Sequence, residues 1–300
     1  MKNRAICLIL TMLLLVSGVP ALSTPTLAIE VPGVDNIDFQ ADEVTRDTAV
    51  LTFKRADGPF KIPVLAYHSI MPQEYYYPIN VHNPWILHLD TFYMQMRYLY
   101  ENGFNTITSE QLLDFLFYDG ELPENPIMLT FDDGYLDNAL FAAPILRLFG
   151  FSGVLFIITS VIEEYTGQMM AYPTRFISKS GIYETSDVFE FASHTHDMHR
   201  SVGGVPILKR ASFADIRDDI KLSFEAPLTC KISFAFPFGA YSQNSLAALR
   251  EVGIRLAFTT ATGYLTQGSN PLRIPRFVII GGPEAQCMQE FSRIVSGDWR

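Results

Sequence analysis

Three of the chain's six histidines fall within the stretch FASHTHDMHR, as His194, His196 and His199. Imidazole is a preferred ligand for zinc and its borderline neighbours. A lone histidine is usually a satisfied structural residue, but three within six positions behind an apolar run point to a metal ion. A second concentration of chemistry lies in IMLTFDDG, where Asp132 and Asp133 follow an apolar run and precede Gly134. Adjacent carboxylates are costly to bury without partners. A glycine turn lets both reach one site, where one can bind a cation and the other stay free to take a proton. Two histidines and one aspartate make the open ligand set of a catalytic zinc, leaving a position for water. The spacing does not suit an EF-hand loop, which places acids at alternating positions before its glycine. Two more loaded segments are IPVLAYHSI, carrying His68, and ISFAFPFGAY, carrying Pro237, Phe238 and Gly239.

The elements that must position these residues alternate between short apolar runs and amphipathic segments from Lys61 onward. Strands are expected at Ile62–Tyr67, Ile127–Phe131, Gly153–Ile158, Val188–Ser193, Ile232–Phe236, Leu256–Thr260 and Arg276–Ile280. Helices are expected over 90–102, from Ser109 to about Gly120, and over 137–149, 174–180, 213–224 and 242–252. In the first of these Phe92, Met96, Leu99 and Tyr100 recur at helical spacing, and Gly103 stops it. Strand–helix alternation over this length predicts a parallel α/β domain closed into a barrel. In such a barrel the reactive groups gather at the carboxyl ends of the strands, where all four loaded segments place theirs.

Lys2 and Arg4, the apolar run Ala5–Val16 and small residues up to Ala21 and Ala28 have the layout of a signal peptide. Residues 1–28 are therefore expected to direct export and be removed, leaving no stable membrane insertion. An acidic extension, 29–60, with a strand-like run at Thr48–Phe53, is expected before a catalytic domain over 61–300. The formal net charge is −10, which repels phosphate backbones and argues against nucleic acid as a partner. Beyond Cys7, only Cys230 and Cys287 remain; two cysteines make no disulfide framework, so an apolar core must supply the stability. Tyr75, Tyr76, Tyr77 and Trp85 follow the His68 strand and could stack on sugar rings or pack a loop.

Taken together, LAYHSI (65–70), LTFDDGY (129–135), SHTHDMH (193–199) and AFPFGAY (235–241) resemble the polysaccharide deacetylases, carbohydrate esterase family 4 with its NodB-type domain. Within that family they look most like the branch that trims poly-N-acetylglucosamine. The resemblance runs over about residues 61–282 and implies a distorted (β/α)7 barrel and one divalent ion, zinc first, with cobalt or nickel compatible. It implies Asp132 as general base, with Asp133, His194 and His199 as metal ligands. His199 stands five residues after His194, as that branch has it; many members place the ligand at the position of Met198. His68 is implied as general acid. A backbone N–H in Pro237-Phe238-Gly239, that of Phe238, is implied as oxyanion donor. The family's base-orienting arginine is missing, because Ala235 holds its place, so Arg276 or Arg273 is the candidate replacement. The implied activity is removal of N-acetyl groups from an extracytoplasmic polysaccharide by a secreted or envelope-associated hydrolase. Peptidoglycan and O-acetylated glycans are alternative substrates, and a glycan binder without turnover is the alternative class. HTHDMH also resembles the ligand run of metallo-β-lactamase-like hydrolases, but its aspartate is one place early and Asp132-Asp133 would have no task.

Overall fold

The computed structural model of the chain describes residues 61–73, 83–162 and 175–299, with the backbone of two short strands nearer the N-terminus. Those two, β1 (Thr26–Ile29) and β2 (Ile37–Gln40), pair antiparallel. The leader and extension expected over 1–60 otherwise lie outside the described residues, as do the Thr48–Phe53 strand and Tyr75–Tyr77.

The strands of the domain proper form a circuit of parallel strands, a second short parallel sheet and an antiparallel hairpin. In chain order they are β3 (Val64–Tyr67), β4 (Ser69–Met71), β5 (Ile86–His88), β6 (Asn105–Thr106), β7 (Pro126–Phe131), β8 (Gly153–Ile157) and β9 (Phe189–Ser193). The hairpin β10 (Ser201–Val202) and β11 (Val205–Pro206), then β12 (Thr229–Ala235), β13 (Leu256–Phe258) and β14 (Phe277–Val278) complete the set. The main sheet runs β13-β12-β9-β8-β7-β3-β14, with β6 beside β7. Ile274 bridges to Phe258 in parallel, while Phe277 and Val278 pair with Leu65 and Ala66. One segment thus touches both ends of the sheet and closes it, giving the seven-stranded distorted barrel that the motif pattern implies. A short second sheet, β4 with β5, follows the His68 strand.

Burial explains why these strands read as unbroken apolar runs. Every residue of β7 and of β8 is buried, as expected when both faces of a parallel sheet are covered. Successive side chains then divide between two cores. Val64, Met128, Val154, Phe156, Ala192, Ala235, Leu256, Phe258 and Ile274, drawn from strands around the circuit, fill the interior. Leu65, Leu129, Phe131, Leu155, Ile157 and Phe191 face outward onto helices α1 (Leu89–Glu101), α3 (Ala143–Phe149) and α7 (Glu284–Val295). Helix α2 (Ser109–Phe117) opens with a reciprocal cap between Thr108 and Gln111. Helices α5 (Phe213–Ser223) and α6 (Gln243–Val252) open on Ser212 and Ser242 caps and share a third core with Phe234 and Phe236.

Four expectations differ in detail. The helix expected from Asp137 begins as a π-helical turn at Asn138–Ala142 before α3. The helix expected over 174–180 is displaced to α4 (Lys179–Glu184), because Ser178 accepts from Gly181 N–H and starts the helix there. The closing strand expected from Arg276 is reduced to Phe277–Val278. Helix α7 was not anticipated; its apolar stripe of Cys287, Phe291, Ile294 and Val295 covers the outer core. Cys230 and Cys287 are both free. No helix among the described residues is long and apolar enough to cross a membrane.

Candidate active site

All four loaded segments end at the same rim of the barrel. His68 follows β3, Asp132 follows β7, His194 follows β9, and Pro237 comes two residues after β12. The chain leaves these strands abruptly. Of the six described non-glycine residues with left-handed φ, three are Asp133 (74°), Thr195 (79°) and Phe238 (58°). Such backbone is uncommon for residues with a Cβ and clusters where the surroundings hold a functional geometry. Asp133 and Gly134 are consecutively left-handed, so the turn expected at the glycine is made by both residues. A Cβ on Gly134 would lie 2.6 Å from Ile157 Cγ2, and one on Gly239 would lie 2.1 Å from Thr260 Oγ1.

Asp133, His194 and His199 come together with their candidate ligand atoms all within 4.8 Å of one another. His199 Nε2 is 3.1 Å and His194 Nε2 is 3.5 Å from Asp133 Oδ1. That oxygen is buried, yet no donor meets it in hydrogen-bond geometry. His194 Nδ1 is 2.8 Å from the Ala235 carbonyl, which can only accept, so Nδ1–H donates there and Nε2 is the ring nitrogen left facing Asp133. A buried orphan acceptor beside two imidazole nitrogens is a donor set that suits a borderline divalent cation. Burial pushes Asp133 up, but the two imidazoles outweigh it and hold its carboxyl well below the ordinary value. Burial likewise opposes protonation of His199, and Asp133 reverses this to raise it.

Asp132 has a different partner. Arg276, fully buried, donates through Nη1 to Oδ1 and Nη2 to Oδ2, each at 2.7 Å. The same guanidinium donates to Thr130 Oγ1 at 3.0 Å and to the Thr259 carbonyl at 2.9 Å. Burial would raise the Asp132 carboxyl, but Arg276 and then His194 bring it below the ordinary value. Asp132 is therefore ionised, fixed in orientation and outside the three-residue cluster. Arg273, the other arginine considered, lies over the Tyr241 ring at 5.2 Å instead.

His68 packs its ring on Trp85 with centroids 4.6 Å apart, and its Nδ1 is buried without a hydrogen-bond partner. Burial lowers its pKa, while Asp132 and Asp133 oppose that. Phe238 is half exposed and its ring lies 4.5 Å from that of His199. The N–H groups of Gly239 and Ala240 are taken by the carbonyls of Phe236 and Pro237. His196 stands apart from the cluster, its Nδ1 2.9 Å from Thr159 Oγ1. Met198 packs into the core shared with α5 and α6.

Several residues that shape this rim were not anticipated. Asp137 is buried and bonded to Ser69 Oγ; burial pushes its carboxyl up to about 8. Asp219, on α5, accepts from the His196 and Asp197 backbone N–H groups, both at 2.8 Å. Neither has a local sequence signal: each reads as an ordinary helical acid.

Residues 119–257 match the family model described as polysaccharide deacetylase. The chain is 30% identical over 200 residues to the poly-beta-1,6-N-acetyl-D-glucosamine N-deacetylase of Staphylococcus aureus (strain MRSA252), covering 63% of this chain and 66% of that protein. Among solved structures, the Streptococcus pyogenes deacetylase PplD in complex with acetate superposes with a TM-score of 0.65 at 23% identity, over 78% of this chain and 99% of that one. IcaB from Ammonifex degensii gives 0.64 at 22% identity, over 79% and 98%. At those identities the two structures speak for the fold.

Proposed function

We propose that the chain, whose residues 119–257 match the polysaccharide deacetylase family model, is a metal-dependent hydrolase releasing acetate from N-acetylglucosamine units of an extracytoplasmic polysaccharide. The observation that carries this reading is the division of labour between the adjacent aspartates: Asp133 sits with two histidines, while Asp132 is held apart by Arg276. Asp133, His194 and His199 would hold the ion, with zinc the first candidate and cobalt or nickel compatible. A divalent cation bound there would supply water activation and polarisation of the acetyl carbonyl.

The chain's own groups do the rest. Asp132, ionised and aimed by Arg276, takes the proton of the attacking water. The Phe238 N–H, at a left-handed position in the turn after β12, donates to the carbonyl oxygen as it gains charge. Pro237 and Gly239 set that turn. His68 donates a proton to the departing glucosamine nitrogen as the C–N bond breaks, leaving acetate and a free amine. Trp85, against His68 and 47% exposed, offers a face for a sugar ring. The signal-like layout of residues 1–28 supports export to the envelope or beyond. Poly-β-1,6-N-acetylglucosamine is the preferred substrate, because the Staphylococcus aureus relative bears that name.

The arginine missing at Ala235 would favour a binder without turnover, whereas the Arg276–Asp132 pair supports turnover. Acetate release from β-1,6- and β-1,4-linked N-acetylglucosamine oligomers, with and without a chelator, tests the proposal. Chelator-sensitive release, greater from the β-1,6 oligomers, is expected. Binding of the oligomers without any release sinks it.

A further inference from the structure

We infer that Asp219 is a positioning residue for the ion, clamping the loop between His194 and His199 so that His199 meets Asp133. The inference rests on the metal-site reading above and goes beyond it in naming what sets the five-residue ligand spacing.

The loop begins in register with the sheet, since His194 N–H donates to the Ile157 carbonyl at 2.9 Å. It leaves that register at Thr195, whose φ is 79°. From there it is held within itself by Met198 N–H donating to Thr195 Oγ1 at 3.2 Å, and from outside by neighbouring elements. The Thr195 and His196 carbonyls accept from Thr159 and Ser160 N–H, both at 3.1 Å. The next two N–H groups, of His196 and Asp197, both point to Asp219, one to each carboxylate oxygen. The His196 side chain adds its contact with Thr159. Asp219 is only 8% exposed, although it sits on a helix whose other acids, Asp215 and Asp218, are exposed. A buried carboxylate needs partners, and the described partners of this one are the two loop amides.

The clamp decides which side chains face which way. With residues 195–197 pinned, Met198 turns into the core shared with α5 and α6 and His199 turns to Asp133. A loop one residue shorter would bring position 198 to the ion. An outer residue of this kind, touching neither ion nor substrate, typically governs metal affinity by about 10- to 100-fold.

The test is zinc titration of the purified protein in competition with a chromogenic chelator, using Asp219→Ala, Asp219→Asn and Leu246→Ala. Leu246 is buried on α6 in the core shared with α5 and takes no part in the two Asp219–loop hydrogen bonds, so its truncation lowers stability without removing either bond of the clamp. Asp219→Ala is expected to weaken zinc binding at least 10-fold. Asp219→Asn, whose single amide oxygen replaces two carboxylate oxygens, is expected in between. Leu246→Ala is expected to stay within about 2-fold despite a lower metal-free melting temperature. The Co²⁺ absorption spectrum gives an independent signature and should change for Asp219→Asn while remaining native for Leu246→Ala. Native zinc affinity and a native cobalt spectrum in Asp219→Asn overturn the inference even if Asp219→Ala fails to fold. Equal loss of affinity in Leu246→Ala overturns it too, by showing that the effect follows stability alone. Failure of the unaltered protein to bind zinc or cobalt sinks instead the metal-site reading on which it rests.

Discussion

Replacing Arg276 by methionine removes the one cation that touches Asp132 among the described residues while keeping a long buried side chain. Four hydrogen bonds disappear, two of them to the carboxylate at 2.7 Å. The residue left behind is 2% exposed. Breaking one side of a buried ion pair costs about 3–5 kcal/mol, because the survivor keeps its desolvation without its partner. Against a typical stability of about 5–15 kcal/mol, that is a large fraction. The pH dependence carries the sharper information. With Arg276 present, the Asp132 carboxyl lies below its ordinary value, so it contributes stability above that value, lost only as the pH falls through the folded-state pKa. Without Arg276, burial dominates and the pKa rises above the ordinary carboxylate value. The sign then inverts, and the variant loses stability as pH rises through the ordinary carboxylate range. Urea denaturation at pH 5 and pH 8, with acetate release from pH 4 to 8, reads both consequences. The variant should lose more stability at pH 8 than at pH 5, and the acid limb of its kcat/KM profile should move upward by at least about one pH unit. Arg276→Lys keeps the charge but not the two-pronged contact, so it should fall between. An unmoved acid limb in both variants would refute the assignment of Asp132 as the proton acceptor that Arg276 orients.

Asp132→Asn should keep its metal content while acetate release falls by about 10²- to 10⁴-fold; loss of the ion would make Asp132 a ligand instead. His199→Ala should lose the ion and His196→Ala keep it, as bound metal per chain will report, since His196 contacts Thr159 and not the cluster. In His68→Ala the ion should remain and turnover collapse, and native turnover would remove His68 from the mechanism. Asp137 is an acid whose folded-state pKa is raised to about 8. Its charging therefore destabilises the fold increasingly as pH rises from about 4 to about 8. Asp137→Asn should raise the melting temperature at pH 8 and leave it nearly unchanged at pH 4; a pH-independent difference would show that the buried carboxyl is not the cause.

What could be foreseen from the chain, and what could not, follows the range of the interactions involved. The barrel strands were legible because both of their faces are buried, which leaves unbroken apolar runs such as Ile127–Phe131 with reactive residues directly after them. The metal candidates were legible because their chemistry is rare: few reasons exist to set three histidines in six positions. Choosing among them was not possible from residue types. The choice depends on Asp219, twenty residues further along, and on Thr159, on the neighbouring strand's exit. Arg276 could be nominated because an arginine was missing at Ala235, but its route to Asp132 exists only once the 274–278 segment closes the barrel.

That closure links the fold to its chemistry. Ala235 is small, and its carbonyl is free to orient His194; an arginine side chain at 235 would have started from the same strand end. Here the cation comes from the closing 274–278 segment, tied to Thr130 on β7 and Thr259 just past β13. Asp132 is thereby fixed by the interior of the barrel and Asp133 by the loop beyond its rim. Adjacent aspartates in one turn can then keep different partners and different protonation behaviour. The left-handed Asp133 is what separates them, since it turns the second carboxylate away from Arg276 and toward the histidines. A substitution that relaxes that turn, such as β-branched valine at Gly134 against Ile157, should therefore disturb the base and the metal cluster together, where Arg276→Met disturbs the base first.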